Sequence, residues 1–167
     1  MFENEPVSDF PNITEITFKS ISKKFLKVIL LNAFFLFCII LMGLILVDYF
    51  NLFEELNGHF KLSYGAFIVI FSLVILLKLL GFKKRKYAVR EKDISYKSGV
   101  FFKKLTTIPF SRVQHIEIDE KPVSRLFGLA SLSVYTAGDS SDDLVIKGIT
   151  KEMATQIKEF ISTKINE

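Results

Sequence analysis

Gly81-Phe82-Lys83-Lys84-Arg85-Lys86 is the stretch that divides this chain into two parts of different character. Before it the chain is strongly apolar, and after it come about eighty residues of short, alternating apolar segments separated by turn signals. Four consecutive cations directly after a membrane-length apolar segment are typical of a cytoplasmic membrane boundary, because Lys and Arg resist translocation and pair with anionic headgroups. The sequence therefore predicts a membrane anchor followed by a cytoplasmic domain.

The composition agrees with this division. Half of the 167 residues are apolar and 18 are Phe, yet 24% are charged, so the two properties must be segregated along the chain. The formal net charge is +4, and the cations cluster at the two ends of the apolar region. This placement favours a membrane surface over nucleic acid as the anionic partner. The single cysteine, Cys38, rules out an intramolecular disulfide and a Cys-based metal cluster.

Two apolar segments are each long enough to cross a bilayer as a helix. The first covers residues 28–47 without a charge, and the second covers 62–80 with Lys78 as its only charge. A helix of about twenty residues spans roughly 30 Å, the hydrocarbon thickness of a bilayer. Lysines flank the pair and acidic residues dominate the connection at 48–61, so the positive-inside rule predicts an external loop and two cytoplasmic termini.

The predicted organisation is a cytoplasmic N-terminal segment at 1–22, a transmembrane hairpin at 23–82 and a cytoplasmic domain at 83–167. The first eleven residues are acidic and contain two prolines, which is typical of a solvated tail. After them the pattern is ambiguous. Ile13, Ile16, Ile21 and Phe25 recur at near-helical spacing towards the membrane, whereas Ile16 and Phe18 alternate as in a strand, and both alternatives stay open.

The domain is predicted to be mostly β-structure. Its apolar runs alternate and carry β-branched or aromatic residues, which indicates strands at 87–90, 94–97, 105–108, 113–118, 132–136 and 144–146. Residues 150–165 place their apolar side chains on one helical face, so one C-terminal helix is expected. The predicted fold class is an α+β membrane protein, with a two-helix transmembrane hairpin before a small antiparallel β barrel or two-sheet sandwich.

A short helical turn is predicted before the fifth strand. Pro122 favours the start of a helix and Gly128 favours its end, so the residues between them form one turn. Leu126 and Phe127 are expected to enter the core from this turn. Gly138 is expected to begin a polar hairpin that keeps its aspartates in solvent.

Two motifs in the domain resemble those of a known family. The first reads Ile108-Pro109-Phe110-x-Arg112-Val113-Gln114-x-Ile116-x-Ile118. The second reads Pro122-Val123-x-Arg125-x-Phe127-Gly128-Leu129-Ala130-x-Leu132-x-Val134-x-Thr136-Ala137-Gly138. Together they resemble the signature of the bacterial pleckstrin-homology-like, membrane-flanked domain proteins of the YdbS type. The motif residues are Pro109, Gln114, Pro122, Phe127, Gly128, Thr136 and Gly138.

The resemblance implies a pleckstrin-homology-like (PH-like) barrel, a fold used chiefly to bind phosphoinositide headgroups or protein partners. It also implies the bacterial cytoplasmic membrane as the location. The implied partner is a membrane protein, either a larger relative with several copies of the domain or a second copy of this chain. Bacteria typically lack phosphoinositides, so this ligand is not carried over, and the fold alone does not define a site.

Eight cations are the candidate residues for binding a lipid or a partner: Lys83, Lys84, Arg85, Lys86, Lys103, Lys104, Arg112 and Arg125. A juxtamembrane lysine or arginine contributes on the order of 1 kcal/mol against anionic lipid. Arg112 and Arg125 have two interpretations. They form an anion- or partner-binding pair, or they bond to carbonyls and carboxylates such as Glu117 or Asp119 and fix irregular loops, and we prefer the second interpretation.

No catalytic residue, cofactor or metal site is predicted. His59 falls in the external loop and His115 in a strand, so the two cannot share a site. No phosphate-binding loop or nucleophile elbow occurs. The sequence leaves a membrane-anchored binding or scaffold module, an accessory subunit of a transport, export or stress-resistance complex and, least favoured, a hydrolytic membrane enzyme.

Overall fold

The computed structural model of this chain describes residues 16–50, 60–137 and 143–166. Most of the predicted external loop, the N-terminal tail and the motif residue Gly138 lie outside this part. Two long helices come first in the described chain, apart from one short strand, and two small sheets with a C-terminal helix follow. The predicted fold class is confirmed.

Helix α1 spans Lys24–Tyr49 and helix α2 spans Phe60–Lys84, and both are long and apolar enough to cross a bilayer. The two pack side by side, with the ring of Phe37 centred 5.2 Å from Phe67 and 5.0 Å from Phe71. At the loop end the Tyr64 hydroxyl donates a hydrogen bond to Asp48 (3.2 Å). Large apolar side chains on the outer faces stay exposed, which suits contact with lipid and not with water.

Both helices extend beyond the apolar segments read from the sequence. The last turn of α2 contains Lys83 and Lys84, so half of the basic stretch is helical. Cations are favourable in this position, because the C-terminal end of a helix carries a partial negative charge. The two apolar segments therefore mark only the part of each helix that suits lipid, and the helices themselves continue beyond these segments.

The domain contains two antiparallel sheets. The first has the order β1-β2-β3-β4, with strands at Lys19–Ser20, Lys86–Val89, Asp93–Ser98 and Lys104–Pro109. The second has the order β5-β6-β7, with strands at Val113–Asp119, Leu129–Thr136 and Leu144–Thr150. A 3₁₀ turn at Phe110–Arg112 connects the two sheets, helix α3 spans Pro122–Leu126, and helix α4 spans Lys151–Asn166.

The ambiguous segment is neither a helix nor a strand over residues 16–18, Ile13 lies outside the described residues, and strand β1 follows directly. Lys19 pairs with Tyr87 and Ser20 with Lys86, so β1 forms the edge strand of the first sheet just before α1 begins. The strands predicted from alternation are all present. Five of the six are longer than predicted by up to four residues, because the ladder hydrogen bonds continue beyond the predicted runs, and the first, β2, is shifted by one residue with its length unchanged.

The core lies between the two sheets and is closed by α4. Ile94, Leu132 and Ile146 from three strands are 0% exposed, as is Ile161 of α4. Strand β6 is buried along almost its whole length because sheet neighbours flank it on both sides and α4 contacts it. The predicted apolar face of the C-terminal helix is thus confirmed as the cover of this core.

Helix α1 also contributes to this core. Phe25 and Val28 are 8% and 2% exposed, and they belong to the same apolar cluster as the strand residues. The ring of Phe25 lies directly against Gly148 in β7, where a Cβ would overlap it. The Ser22 N–H donates to the Gly148 carbonyl at 2.8 Å. The beginning of α1 is therefore packed as part of the domain.

One side-chain expectation is wrong. Phe127 packs against the core as predicted, but Leu126 is 78% exposed. Successive residues of a helix are rotated by about 100°. Val123, Ser124 and Phe127 share the face turned to the core, and this rotation places Leu126 on the solvent side of the turn.

Candidate functional site

The basic stretch is a rigid connection between helix and sheet. Lys83 and Lys84 end α2, Lys86 begins β2, and Arg85 is the single residue between them. Its guanidinium lies 5.8 Å from the centre of the Phe25 ring, within reach of a cation–π interaction. The other three cations are exposed. The stretch therefore fixes the first sheet at the end of α2 and leaves three charges on the surface.

The turn between β3 and β4, residues 99–103, lies at the same end of α2, and we call it the hairpin tip. Val100 is packed beside Gly81, where its Cγ2 would be 3.5 Å from an added Cβ. Gly99 and Val100 share a shallow cleft with Leu77 and Lys78 of α2. The side chains exposed at and just after the tip are Phe101 (77%), Phe102 (93%), Lys103 and Lys104. Two exposed aromatic rings thus lie next to an apolar helix.

A cleft of about 390 Å³ lies where the two helices meet the domain, and we call it the junction cleft. Its apolar wall is formed by Ile29, Ala33, Leu36, Phe71 and Val74, among other residues of α1 and α2. Its polar groups are Asn32, Ser124 and Ser131. Its cations are Lys78, Arg85, Lys121 and Lys147.

The junction cleft carries positive charge without a matching carboxylate. The residues that line it include no Asp or Glu. In the described part of the chain, none of its lysines forms an ion pair. The carboxylate next to Lys121 in the chain is engaged elsewhere, since Glu120 pairs with Lys151 at 2.7 Å. Converging cations beside an apolar wall raise the local concentration of anions.

Arg112 and Arg125 lie on different elements. Arg112 ends the 3₁₀ turn, its carbonyl accepts the Ala137 N–H at 3.1 Å, and it borders a cleft along β4. Arg125 is exposed on α3, which contacts α1 and β6. The carboxylates suggested as their partners have other contacts, because Glu117 accepts from Tyr135 and Asp119 from Ser133. The roles of both arginines stay predictions.

The motif residues mainly shape turns. Pro109 is extended before the 3₁₀ turn, Pro122 occupies the first turn of α3, and Gly128 has a φ of +66°. Gln114 sits at an irregularity of β5 between Val113 and His115. Thr136 is buried at the end of β6. These residues specify how the chain passes between the two sheets, and two of them, Pro109 and Thr136, border the cleft along β4 together with Arg112.

His115 lies on the outer face of the second sheet, as expected for a surface strand. Its ring stacks on Tyr135 at 4.3 Å, and its Nε2 is 3.6 Å from Glu117. The hydrogen bond from the Tyr135 hydroxyl to Glu117 raises the pKa of this tyrosine. Within residues 16–50, 60–137 and 143–166, no group of three His, Cys, Asp or Glu side chains is placed to hold a metal ion.

Sequence reasoning missed most of the junction cleft. Lys121 and Lys147 follow no sequence pattern that marks a site, and Lys78 stands out only as the one charge of its apolar segment. No local pattern brings residues this far apart in the chain to one cleft. The hairpin tip did carry a signal, since two adjacent Phe followed by two Lys stand where the strand pattern requires a turn.

The fold and the junction together define a membrane protein with a PH-like domain. The chain belongs to the family described as bacterial PH domain, whose sequence profile matches residues 26–165. The match begins inside α1, so the family unit includes the membrane helices. The resemblance seen in the two motifs is confirmed.

Two curated relatives are transmembrane proteins of Bacillus subtilis (strain 168). UPF0699 transmembrane protein YdbT is 24% identical over 123 residues, which cover 72% of this chain and 25% of the relative. UPF0699 transmembrane protein YdbS is 26% identical over 98 residues, which cover 59% and 57%. The chain thus matches a quarter of one relative and just over half of the other.

Among solved structures, a DUF1696 family protein with a pleckstrin-homology domain from Shewanella loihica PV-4 is similar. It is 18% identical to this chain with a TM-score of 0.38, over 50% of this chain and 73% of that one.

Proposed function

We propose that this chain is a non-enzymatic, membrane-anchored binding module that holds its PH-like domain against the cytoplasmic leaflet of a bacterial membrane. Both termini are cytoplasmic in this proposal. The observation that carries it is the hairpin tip, which exposes two Phe beside the domain end of α2. Exposed apolar groups of this size mark interaction surfaces, and here the neighbouring surface is the bilayer itself.

The charges support this orientation. Lys23, Lys24 and Lys27 lie at the start of α1, and Lys83 and Lys84 lie at the end of α2, so five cations occupy the domain side of the hairpin. Lysine and arginine near the ends of membrane helices favour the cytoplasmic side. The domain then lies in the cytoplasm, directly beneath the headgroups.

The hairpin tip has the chemistry of an interfacial anchor. Strand β3 runs towards α2, so the turn after it comes at the boundary of the apolar segment. Full burial of a Phe side chain contributes about 1.5–3 kcal/mol. Each of the lysines that follow contributes about 1 kcal/mol near an anionic surface. The tip therefore supports docking of the domain on the leaflet.

With one face on the leaflet, the rest of the domain is available to a protein partner. The partner we propose is a membrane protein, either a larger protein of the same family or a second copy of this chain. The much greater length of the YdbT relative is consistent with larger proteins that contain this unit.

A second candidate function, an accessory subunit of a transport, export or stress-resistance complex, is supported by the exposed apolar faces of α1 and α2, which accommodate further helices.

A tryptophan reporter tests leaflet docking, because the chain has no native Trp. Phe102→Trp in the full chain, reconstituted in liposomes with lipids brominated near the headgroup, is expected to emit at short wavelength and to be quenched. The control is Phe160→Trp on α4, which is expected to escape quenching. If Phe102→Trp emits like a solvated indole and escapes the bromines, leaflet docking is wrong.

A further inference from the structure

The junction cleft reaches from the domain surface into the apolar part of the hairpin. Asn32 lies eight residues after the start of α1, or about 12 Å along the helix. Lys78 lies six residues before the end of α2, or about 9 Å. The two polar residues are therefore at similar depth. The apolar walls around them, such as Leu36 and Val74, are open to the hydrocarbon of the bilayer.

The cations of the cleft come from four separate places in the chain. Lys78 belongs to α2, Arg85 to the connection after it, and Lys147 to β7, while Lys121 precedes α3. Like charges that converge repel one another unless an anion lies among them. Lysine and arginine side chains recognise phosphate oxygens, and the arginine guanidinium binds two of them at once.

We propose that the junction cleft binds one anionic glycerophospholipid, with its phosphate among Arg85, Lys121 and Lys147 and its acyl chains along α1 and α2. The hydroxyls of Ser124 and Ser131 line the same cleft and are available to the headgroup. The volume of about 390 Å³ falls within the range of about 300–1,000 Å³ that small-molecule sites occupy. This inference rests on the proposed function in one respect: the lipid comes from the cytoplasmic leaflet only if the domain lies on the cytoplasmic side.

Binding at this place joins the domain to the hairpin. Arg85 lies over the ring of Phe25, which in turn lies against Gly148. A phosphate held by Arg85 and Lys147 bridges the α2–β2 connection and β7. The lipid then acts as a structural ligand that fixes the orientation of the domain on its anchor.

The test uses the full chain in liposomes with a single Trp in the cleft wall. Leu36→Trp is the reporter, and its neighbour Phe35→Trp, exposed to bulk lipid and outside the cleft lining, is the matched control. At equal mole fraction, chain-brominated phosphatidylglycerol is expected to quench Leu36→Trp more than brominated phosphatidylcholine. The two lipids are expected to quench Phe35→Trp equally.

Charge variants test the cations in the reporter background. Lys121→Gln and Lys147→Gln are each expected to lower the preference for phosphatidylglycerol about fivefold. Lys158→Gln removes the same charge from the exposed side of α4 and is expected to leave the preference unchanged. Equal quenching of Leu36→Trp by both lipids overturns the proposal, and so does a preference that survives the Lys121→Gln, Lys147→Gln double variant.

A soluble competitor separates the two sources of phosphate. Glycerol 1-phosphate is expected not to displace brominated phosphatidylglycerol, because it lacks the chains that contact α1 and α2. Displacement at millimolar concentration overturns the lipid assignment and indicates a soluble phosphate ester. The result at Phe102→Trp is independent of these outcomes, so failure of leaflet docking is distinguished from failure of the lipid site.

Discussion

The two membrane helices resemble each other in sequence but have different relationships to the domain. Both are apolar and both carry lysines at the domain end. The first turns of α1 enter the domain core through Phe25 and Val28. Helix α2 has no buried residue in its described part and continues into the first sheet only through Arg85. The comparison teaches that α1 is buried in the domain core as well as in the anchor, whereas α2 touches the domain from outside, through Phe82 at the edge of the core and Gly81 beside Val100.

The strongest test of this difference is removal of the α1 side chain that fills the core. Phe25→Ala is expected to lower the free energy of unfolding by about 3–5 kcal/mol, because a buried ring is lost and a cavity is left. Phe35→Ala, ten residues further along α1 and 52% exposed, is expected to change it by about 0.5 kcal/mol or less. Urea unfolding of the full chain in detergent measures both. Equal losses in the two variants would show that α1 is only an anchor.

A smaller effect is expected from the strand residue that receives this ring. Gly148 has a φ of +83°, and a Cβ there would overlap Phe25. Gly148→Ala is expected to cost about 2 kcal/mol or more through strain and overpacking. Gly43→Ala in the middle of α1, where nothing lies within 4 Å of an added Cβ, is the control and is expected to be neutral or slightly stabilising.

A double-mutant cycle sharpens the same test. If Phe25 and Gly148 form one contact, the cost of Gly148→Ala falls when Phe25 is replaced by Leu. Additive losses in the cycle would mean that α1 and β7 are not coupled at this point.

The smallest effect is expected on the α2 side, at Tyr87 in β2. Burial raises the pKa of Tyr87 above its ordinary value of 10.0. Above pH 10 the unfolded chain ionises this tyrosine while the folded chain keeps it neutral, so its contribution to stability is present below pH 10 and is lost as the pH rises. Tyr87→Phe is expected to make the decline in unfolding free energy above pH 10 shallower. Parallel pH profiles for the variant and the wild type would contradict this.

The elements that follow local patterns could be predicted from sequence. The two long helices could be predicted from the length of their apolar runs. Strands such as β3 and β5 could be predicted from the alternation of apolar and polar residues, because this alternation is visible in neighbouring residues. The turn residues carried the family likeness for the same reason. The exposure of Leu126 could not be predicted, because the direction of a side chain on a one-turn helix depends on which face of that helix packs against the core.

The features that join the anchor to the domain could not be predicted in this way. Strand β1 has two residues and pairs with residues more than sixty positions later, so no local pattern marks it. The Phe25 ring fits into the core only because Gly148, in β7 near the other end of the chain, has no side chain to overlap it. The junction cleft collects its cations from four separate segments. Each of these requires the tertiary fold.

A labelling experiment tests the central claim, that the domain lies on the cytoplasmic leaflet with its hairpin tip in the membrane. Cys38 is the only native cysteine, so a Cys38→Ala background carries Phe102→Cys or Thr155→Cys, the second on the exposed side of α4. With an impermeant thiol reagent and inside-out vesicles, Thr155→Cys is expected to react at once and Phe102→Cys only after detergent is added. Equal reaction at both positions, or reaction of Thr155→Cys in right-side-out vesicles, would contradict the claim.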